Sequence, residues 1–315
     1  MLDQYGRNIT YLRLSVTERC DLRCTYCRVD EGICPKAAEL TAGDFTQVVR
    51  VCAKLGINKV RLTGGEPLLR RDILEIVQAI ASIKEIEDIS MTTNAQFLPG
   101  KAVALKKAGL TRLNISLDSL NPDTFHEMTG GDISLVLSGI DEAIQAQLLP
   151  VKINVVVVKG KNDHEIDDFI ALTEKHPIDV RFIELMPIGD QGKNGARRVL
   201  NDELISARPY LTPVLSRYPG QPSSDFRVEG YLGRVGFISP LSHKFCADCN
   251  RIRLMSDGML RPCLGVDSEI SLLDSLKQGD EALLETIKTV IYHKPVGHEF
   301  EGCSFSIRNM SRIGG

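Results

Sequence analysis

The chain is 315 residues long, with 43% hydrophobic and 25% charged residues, proportions that exclude a wholly disordered chain and suit one large α/β domain or a main domain with an appendage. Its formal net charge of −3 excludes a general nucleic-acid-coating role, so any anionic ligand has to be held by local arginines and lysines. Nine cysteines, no 7–15-residue apolar run near the start and no stretch approaching about 20 apolar residues predict a cytoplasmic protein with no membrane span, whose cysteines are metal ligands or small core residues rather than disulfides.

From Thr10 to about Leu185, short β-branched runs alternate with amphipathic stretches. The expected strands are Tyr11–Val16, Lys59–Thr63, Asp88–Thr92, Arg112–Leu117, Val151–Val158 and Val180–Leu185. Between them, Thr41–Leu55 places Phe45, Val48, Cys52 and Leu55 at helical spacing before the stop at Gly56. Asp72–Ile83 repeats the pattern after an Asp N-cap, and Leu98–Ala108 ends at Gly109. Six strand–helix units at roughly 30-residue spacing predict a parallel sheet with right-handed crossovers. Periodicity leaves open whether that sheet is doubly wound or an incomplete (β/α)6 TIM-like barrel, but both place ligands at the carboxyl ends of the strands.

After Leu185 the texture changes, which divides the chain into a main unit (1–186), a Gly-, Pro- and Ser-rich connector to a second layer (187–225) and a C-terminal region (226–315). A short helix is expected near Asn201–Ala207. Asp257-Gly258 signals a hairpin between Arg251–Met255 and Met259–Pro262, and helices follow at about Leu272–Lys277 and Glu281–Tyr292.

Two cysteine constellations carry the chemistry. Cys20, Cys24 and Cys27 stand in a C-x3-C-x2-C spacing directly after the first strand, where three thiolates can grip a metal centre and leave one position for an outside ligand. A structural zinc site is normally closed by four protein ligands, whereas an iron–sulfur cube on three cysteines keeps one iron free. Cys246, Cys249 and Cys263 form a second set, C-x2-C-x13-C; with His243 nearby, a closed Cys3His zinc site stays open as an alternative. Arg251 and Arg253 share one face of an extended segment beside it, suited to an anionic substrate or else simply solvated. Thr63-Gly64-Gly65-Glu66-Pro67 ends the second strand, where two glycines allow close backbone approach and the turn exposes main-chain groups to a ligand. Cys52 fits the core face of its helix, and Cys34 and Cys303 have no assigned place.

The C-x3-C-x2-C loop with Tyr26 before its last cysteine, followed by the Gly-Gly-Glu-Pro turn, resembles the radical S-adenosylmethionine (SAM) enzymes. In these, SAM chelates the free iron and its reductive cleavage gives a 5′-deoxyadenosyl radical. The resemblance narrows to the GTP 3′,8-cyclase family (molybdenum cofactor biosynthesis protein A) along nearly the whole chain. It is carried by Leu12–Cys20, Ile57–Arg71, Thr92-Thr93-Asn94, Asn114–Asp118, Arg181–Pro187, Phe245–Leu254 and the terminal Ile313-Gly314-Gly315.

It implies an incomplete barrel with a C-terminal cluster-binding extension, two [4Fe-4S] clusters on the two cysteine sets, and SAM as cofactor. The implied reaction is abstraction of the 3′ hydrogen of GTP and attack of the ribose radical on C8 of guanine, giving (8S)-3′,8-cyclo-7,8-dihydroguanosine 5′-triphosphate. By the same resemblance Arg13, Arg61, Thr92, Lys159, Arg251 and Arg253 would contact GTP, Tyr26, Gly65, Ser116 and Met186 would line the SAM site, and Gly314 and Gly315 would thread into the active-site opening, the carboxylate pairing with Arg13. From the residues alone that tail would be a disordered end. The implied partners are GTP, an electron donor such as a flavodoxin or ferredoxin, and the next enzyme of molybdopterin synthesis; nucleic acid and membrane are not expected, and a homodimer is the one self-assembly considered. Asp21, Ala95 and Arg28-Val29 depart from the family pattern, as does the absence of Trp around 189–199. A radical SAM enzyme that modifies a peptide, with an auxiliary cluster, is the alternative activity, and a zinc-binding interaction protein the non-catalytic one.

Overall fold

The computed structural model describes residues 1–27, 38–188, 195–218, 220–298, 300 and 310–314. Cys34, Cys303, Arg28, Val29 and Gly315 lie outside the described residues. The six expected strands form as β1 (Tyr11–Ser15), β2 (Lys59–Thr63), β3 (Asp88–Thr93), β4 (Arg112–Ser116), β5 (Val151–Val157) and β6 (Ile178–Glu184), all parallel and in sequence order. The helices between them are α1 (Ala42–Lys54), α2 (Ile73–Ala81), α3 (Ala102–Ala108), α4 (Pro122–Thr129), α5 (Ile133–Gln145) and α6 (Ile166–Lys175).

Alternation along the strands decides the architecture. Leu12 and Leu14, Val60 and Leu62, Leu113 and Ile115, Ile153 and Val155, and Val180 and Phe182 are fully buried on the helix-covered face. Each such side chain stabilises the fold by about 1.5–3 kcal/mol. Their alternate neighbours Arg13, Arg61, Asn154 and Arg181 point the other way and line cavities instead of meeting a second helical layer, with Ser90 and Asn114 in register among them. A doubly wound sheet would be apolar on both faces, so the fold is the incomplete TIM-like barrel.

The helix starts follow their sequence signals. Thr41 caps α1 in a reciprocal capping box with Asp44. Gly109 ends α3 with a left-handed φ of 110°. Asp72, expected to cap α2, makes no side-chain cap bond; its carboxylate is held by Arg70 at 2.6–2.8 Å.

Among the described residues, the strands past 186 extend the same sheet instead of building the expected second layer. A short α7 (Asn201–Ser206) leads to β7 (Thr212–Val214), β8 (Ser223–Arg227) and β9 (Arg234–Ile238), and β9 joins β6 in parallel. At the opposite edge β10 (Arg251–Leu254) joins β1 in parallel and carries the expected hairpin to β11 (Met259–Arg261), with β12 (Ile270–Ser271) beyond. The twelve strands found among the described residues thus form one sheet. The following helices, α8 (Leu273–Gln278) and α9 (Asp280–Tyr292), pack against α1 in the outer layer, where Gln47 and Lys54 bond Asp280. A final turn, α10 (Met310–Ile313), returns into the barrel. Among the described residues no helix is long and apolar enough to cross a membrane.

Candidate active site

Parallel register lines up the inner face. Arg253, Arg13, Arg61, Ser90 and Arg112 stand side by side across β10, β1, β2, β3 and β4. Further round, Asn114 neighbours Lys152, and Asn154 neighbours Arg181. Two cavities open on this face, and Asn154, Ile183, Met186 and Met310 line both, so the two spaces adjoin.

The first cavity lies over the carboxyl ends of the strands. Cys20, Cys24 and Cys27 line it together with Tyr26, Gly65, Thr92, Ser116 and Met186. The glycine turn fits tightly under the cysteine loop: Gly65 N–H donates to Thr17 O at 2.8 Å and Glu66 N–H to Arg19 O at 2.7 Å. A Cβ on Gly65 would lie 2.2 Å from Arg19 O. Of the turn's main-chain groups, expected to be exposed to a ligand, these two amides are committed to the loop, and the loop is what demands glycine.

Glu66 is wholly buried and accepts from Leu68 N–H, the Thr93 hydroxyl and Asn94 N–H at 2.7–2.9 Å. Burial outweighs these bonds and pushes its carboxyl up to about 7. Through Asn94, whose amide donates to Asp21 Oδ1 at 2.9 Å and lies 3.9 Å from Cys20 Sγ, the glycine turn, the end of β3 and the cysteine loop become one unit. Beyond it, Ala95 holds a φ of 62°, which explains why glycine suits this position. Across the cavity Tyr26 donates to Asp118 Oδ2 at 2.5 Å, while Val156 N–H satisfies Oδ1. Burial raises the Asp118 carboxyl to about 6, and burial followed by the Asp118 charge pushes the Cys24 thiol well up.

The second cavity is lined by Cys246, Cys249 and Cys263 with Arg13, Arg61, Arg251, Arg253, Lys294 and His298. Burial alone would raise the Cys249 thiol, but Arg251 and Lys294 bring it down to about 6. His243, the sequence's option for a fourth ligand, instead turns its Nε2 to Asp202 at 2.8 Å. The histidine that does reach the cavity is His298, whose Nε2 faces Pro240 O at 2.8 Å and whose buried Nδ1 has no partner among the described residues. Among the described residues no three His, Cys, Asp or Glu side chains converge on a single-ion position.

The tail lies inside the barrel. Gly314 is buried against Thr63 and Ser15 at the ends of β2 and β1, and Arg253 Nη1 donates to its carbonyl at 2.5 Å and to Ile313 O at 3.4 Å. The expected pairing of the Gly315 carboxylate with Arg13 falls outside the described residues. Lys159 is exposed in the turn after β5 and lines neither cavity.

Below the second cavity, a narrower space is lined by Lys59, Arg112, Lys152 and Tyr218, with the Tyr218 ring 5.0–5.6 Å from the three cations. Burial and then neighbouring cations depress Arg13 well below its ordinary value, Arg181 to about 9, Arg253 to about 10 and Lys152 to about 7. Burial alone would raise the Tyr11 hydroxyl, yet Arg61, Arg13 and Arg112 together bring it below its ordinary value. Among the described residues Asp88 pairs with Arg112 at 2.5 Å, and Asp179 with Arg217 at 3.0 Å and with Lys152 at 3.9 Å, fewer acids than the row and its extension have cations. Among the described residues Thr92 Oγ1, Arg181 Nε and Arg112 Nη1 are buried without a hydrogen-bond partner. Orphaned donors and an excess of buried positive charge are what an anionic ligand would satisfy.

Arg13, Arg61, Arg251 and Arg253 were named through the family resemblance, and strand register is what shows Arg13, Arg61 and Arg253 to be one row. Arg181, Lys152, Glu66, Asp118, Lys294 and His298 were missed as site residues, because only tertiary contacts bring them to the cavities or bury them beneath.

The sequence matches the family model described as the Radical SAM superfamily over residues 14–173 and the one described as Molybdenum Cofactor Synthesis C over residues 178–300. It is 49% identical over 321 residues to a protein of Alkaliphilus oremlandii named GTP 3′,8-cyclase and 46% identical over 324 residues to one of the same name from Petrotoga mobilis, each alignment covering 100% of both chains. Among solved structures, Streptococcus suis SuiB bound to precursor peptide SuiA has a TM-score of 0.63 at 18% identity, covering 92% of this chain and 66% of that one. SuiB bound to S-adenosylmethionine gives a TM-score of 0.59, with 65% of that chain covered. At such identity the likeness concerns the fold alone.

Proposed function

The chain belongs to the GTP 3′,8-cyclase family of radical SAM enzymes, and on that premise we propose how its two adjoining cavities divide the work. It converts GTP to (8S)-3′,8-cyclo-7,8-dihydroguanosine 5′-triphosphate in the first step of molybdenum cofactor biosynthesis, with a [4Fe-4S] cluster and SAM as cofactors. The chemistry that cluster and SAM supply when bound is hydrogen-atom abstraction.

Everything else falls to the chain. Cys20, Cys24 and Cys27 hold the catalytic cluster; Tyr26, Gly65, Ser116 and Met186 shape the adjoining SAM space, and the orphaned Thr92 hydroxyl faces the same space. Cys246, Cys249 and Cys263 hold a second [4Fe-4S] cluster, a donor set of three thiols on one cavity wall. Arg13, Arg61, Arg251 and Arg253, extended by Arg181 and Lys152, take the triphosphate, while Lys159 is exposed outside the two cavities. Shared lining by Asn154, Ile183, Met186 and Met310 sets the ribose at the junction, where the reacting carbon meets the SAM side. The docked tail closes that junction and excludes water, with Gly314 fixed by Arg253. A low-potential one-electron donor of the flavodoxin or ferredoxin type feeds the first cavity, and the product passes to the next enzyme of molybdopterin synthesis.

The observation that carries this division is the buried cationic row: cations that depress one another in the ligand-free protein become mutually supporting once a polyanion lies along them. The test is anaerobic reconstitution, iron and sulfide analysis, then reduction with SAM and GTP followed by mass spectrometry. Two clusters, 5′-deoxyadenosine and a GTP isomer of unchanged mass are expected. SAM cleavage with untouched GTP would overturn the substrate assignment, and one cluster per chain would remove the second cysteine set from the scheme.

A further inference from the structure

Two buried cations stand behind the second cysteine set, and neither belongs to a motif. Arg7, 8% exposed, comes from the N-terminal segment that precedes β1. Its Nε donates to Asp3 Oδ2 at 2.6 Å, its Nη1 to Cys246 O at 2.9 Å and Val296 O at 3.0 Å, and its Nη2 to Pro295 O at 2.6 Å and Lys294 O at 3.3 Å. A guanidinium has five N–H groups, and all five are used. Asp3 is itself held, accepting from the Tyr5 and Arg7 amides at 2.9 Å.

Lys294, 2% exposed, follows α9 and lines the second cavity. Its ammonium donates to Arg251 O at 2.9 Å and Pro262 O at 2.6 Å. Arg251 lies two residues after Cys249, and Pro262 directly precedes Cys263. The same segment packs on the first cysteine of the set, for a Cβ on Gly297 would lie 3.5 Å from Cys246 Sγ. Each of the three cysteines is thus tied through its own or a neighbouring carbonyl to one of two cations, and Arg7 ties the two together through Lys294 O.

We infer that Arg7 and Lys294 are positioning residues for the second three-cysteine site, fixing the backbone of Cys246, Cys249 and Cys263 before the metal is loaded, with Lys294 also contributing the positive charge that favours the reduced state of what binds there. The inference rests on the proposed second [4Fe-4S] cluster. Burying a cation is costly unless hydrogen bonds compensate it, and here the acceptors are the carbonyls of the ligand-bearing backbone itself, so the brace and the site are one arrangement. Removing a nearby positive charge makes reduction of a cluster less favourable, whereas removing a donor loosens the loop; the two contributions are separable.

The experiment compares wild type with Arg7→Met, Lys294→Met and Lys294→Gln, all reconstituted anaerobically at full length. Iron and sulfide content, the low-temperature EPR signals of each cluster and a redox titration are read for every protein. Wild type carries two clusters. Arg7→Met and Lys294→Met are expected to keep the SAM-responsive signal of the first cluster while losing most of the second cluster's iron. Lys294→Gln, which keeps a donor and loses the charge, is expected to retain more of the second cluster than Lys294→Met, at a more negative potential than wild type. Full iron and an unshifted second-cluster potential in both Met variants overturn the inference. So does equal loss of both clusters, which would assign these cations to the fold as a whole. A wild type with only one cluster would instead sink the second-cluster reading itself, and that outcome is visible before any variant is compared.

Discussion

Replacing Gly314 by alanine should undock the tail and uncouple SAM cleavage from cyclisation. Gly314 has a φ of 70°, and a Cβ there would meet Thr63 Cγ2 at 2.7 Å and Ser15 Cβ at 3.3 Å. A left-handed conformation costs a non-glycine residue about 1–2 kcal/mol. Thr63 and Ser15 stand on neighbouring central strands and have little room to move, so overpacking adds at least about 1 kcal/mol. The total of about 3 kcal/mol lowers the ratio of docked to undocked tail by about 100-fold. Neither cysteine set is among the atoms that the new methyl would meet. Iron content and the first cluster's response to SAM should therefore stay at wild-type levels. Anaerobic turnover with GTP, analysed by mass spectrometry for cyclised nucleotide and 5′-deoxyadenosine together, should show product per deoxyadenosine reduced at least tenfold. Removing Gly314 and Gly315 together should abolish it. Wild-type product yield from either variant would refute the assignment of the tail to the reaction.

Gly65→Ala should prevent the first cluster from assembling, because its Cβ would fall 2.2 Å from Arg19 O and 2.8 Å from Glu18 O in the cysteine loop; a variant retaining the first cluster's EPR signal and SAM cleavage would contradict this. Glu66, raised from 4.5 to about 7, holds more protons folded than unfolded, so it lowers stability as pH rises from about 4.5 to 7, by on the order of 3 kcal/mol. Asp118, raised to about 6, acts in the same direction over a lower window. In Glu66→Gln the loss of stability between pH 5 and 7.5, followed by denaturant titration, should be smaller than in wild type, and an identical slope would show that Glu66 does not titrate there. Lys152, depressed to about 7, should regain its proton when a triphosphate arrives. GTP binding near pH 7.5 should thus take up protons and weaken as pH rises through 7 and above; calorimetry in buffers of different ionisation enthalpy would expose the absence of uptake.

The parallel core was legible because each strand carries its own signal. Alternation in Tyr11–Ser15 or Lys59–Thr63 is local, and the same alternation already separates apolar Leu12 and Leu62 from polar Arg13 and Arg61. What closes the sheet was not legible: β10 pairs with β1 across about 240 residues and β9 with β6 across about 55, and in-register parallel partners leave no trace in local periodicity. The connector therefore read as a passage to another layer when it supplies edge strands. Within the site, the cysteines and glycines were legible by spacing, but spacing did not show that the amides of Gly65 and Glu66 hold the cysteine loop. Arg7 stood in a segment with no pattern, and its role depends on carbonyls 239 to 289 positions away.

The inner face shows why so much of the site escaped a reading built on hydrophobic pattern. A closed (β/α)8 barrel fills its interior with branched apolar side chains, whereas here the corresponding row is Arg253, Arg13, Arg61, Ser90 and Arg112. Stabilisation comes from the outer face and its helices, and the inner row works against it by desolvation and mutual repulsion. The protein offsets part of this internally. Arg253 is capped by the carbonyls of Ile313 and Gly314, and Arg112 by Asp88, yet Arg181 Nε and Arg112 Nη1 stay without partners among the described residues. Such an interior gains stability from a bound polyanion, which offsets repulsion within the row as well as adding contacts. On the proposed function, a protein of net charge −3 can hold a triphosphate because its positive charge is concentrated in this buried row, where burial makes it strongest.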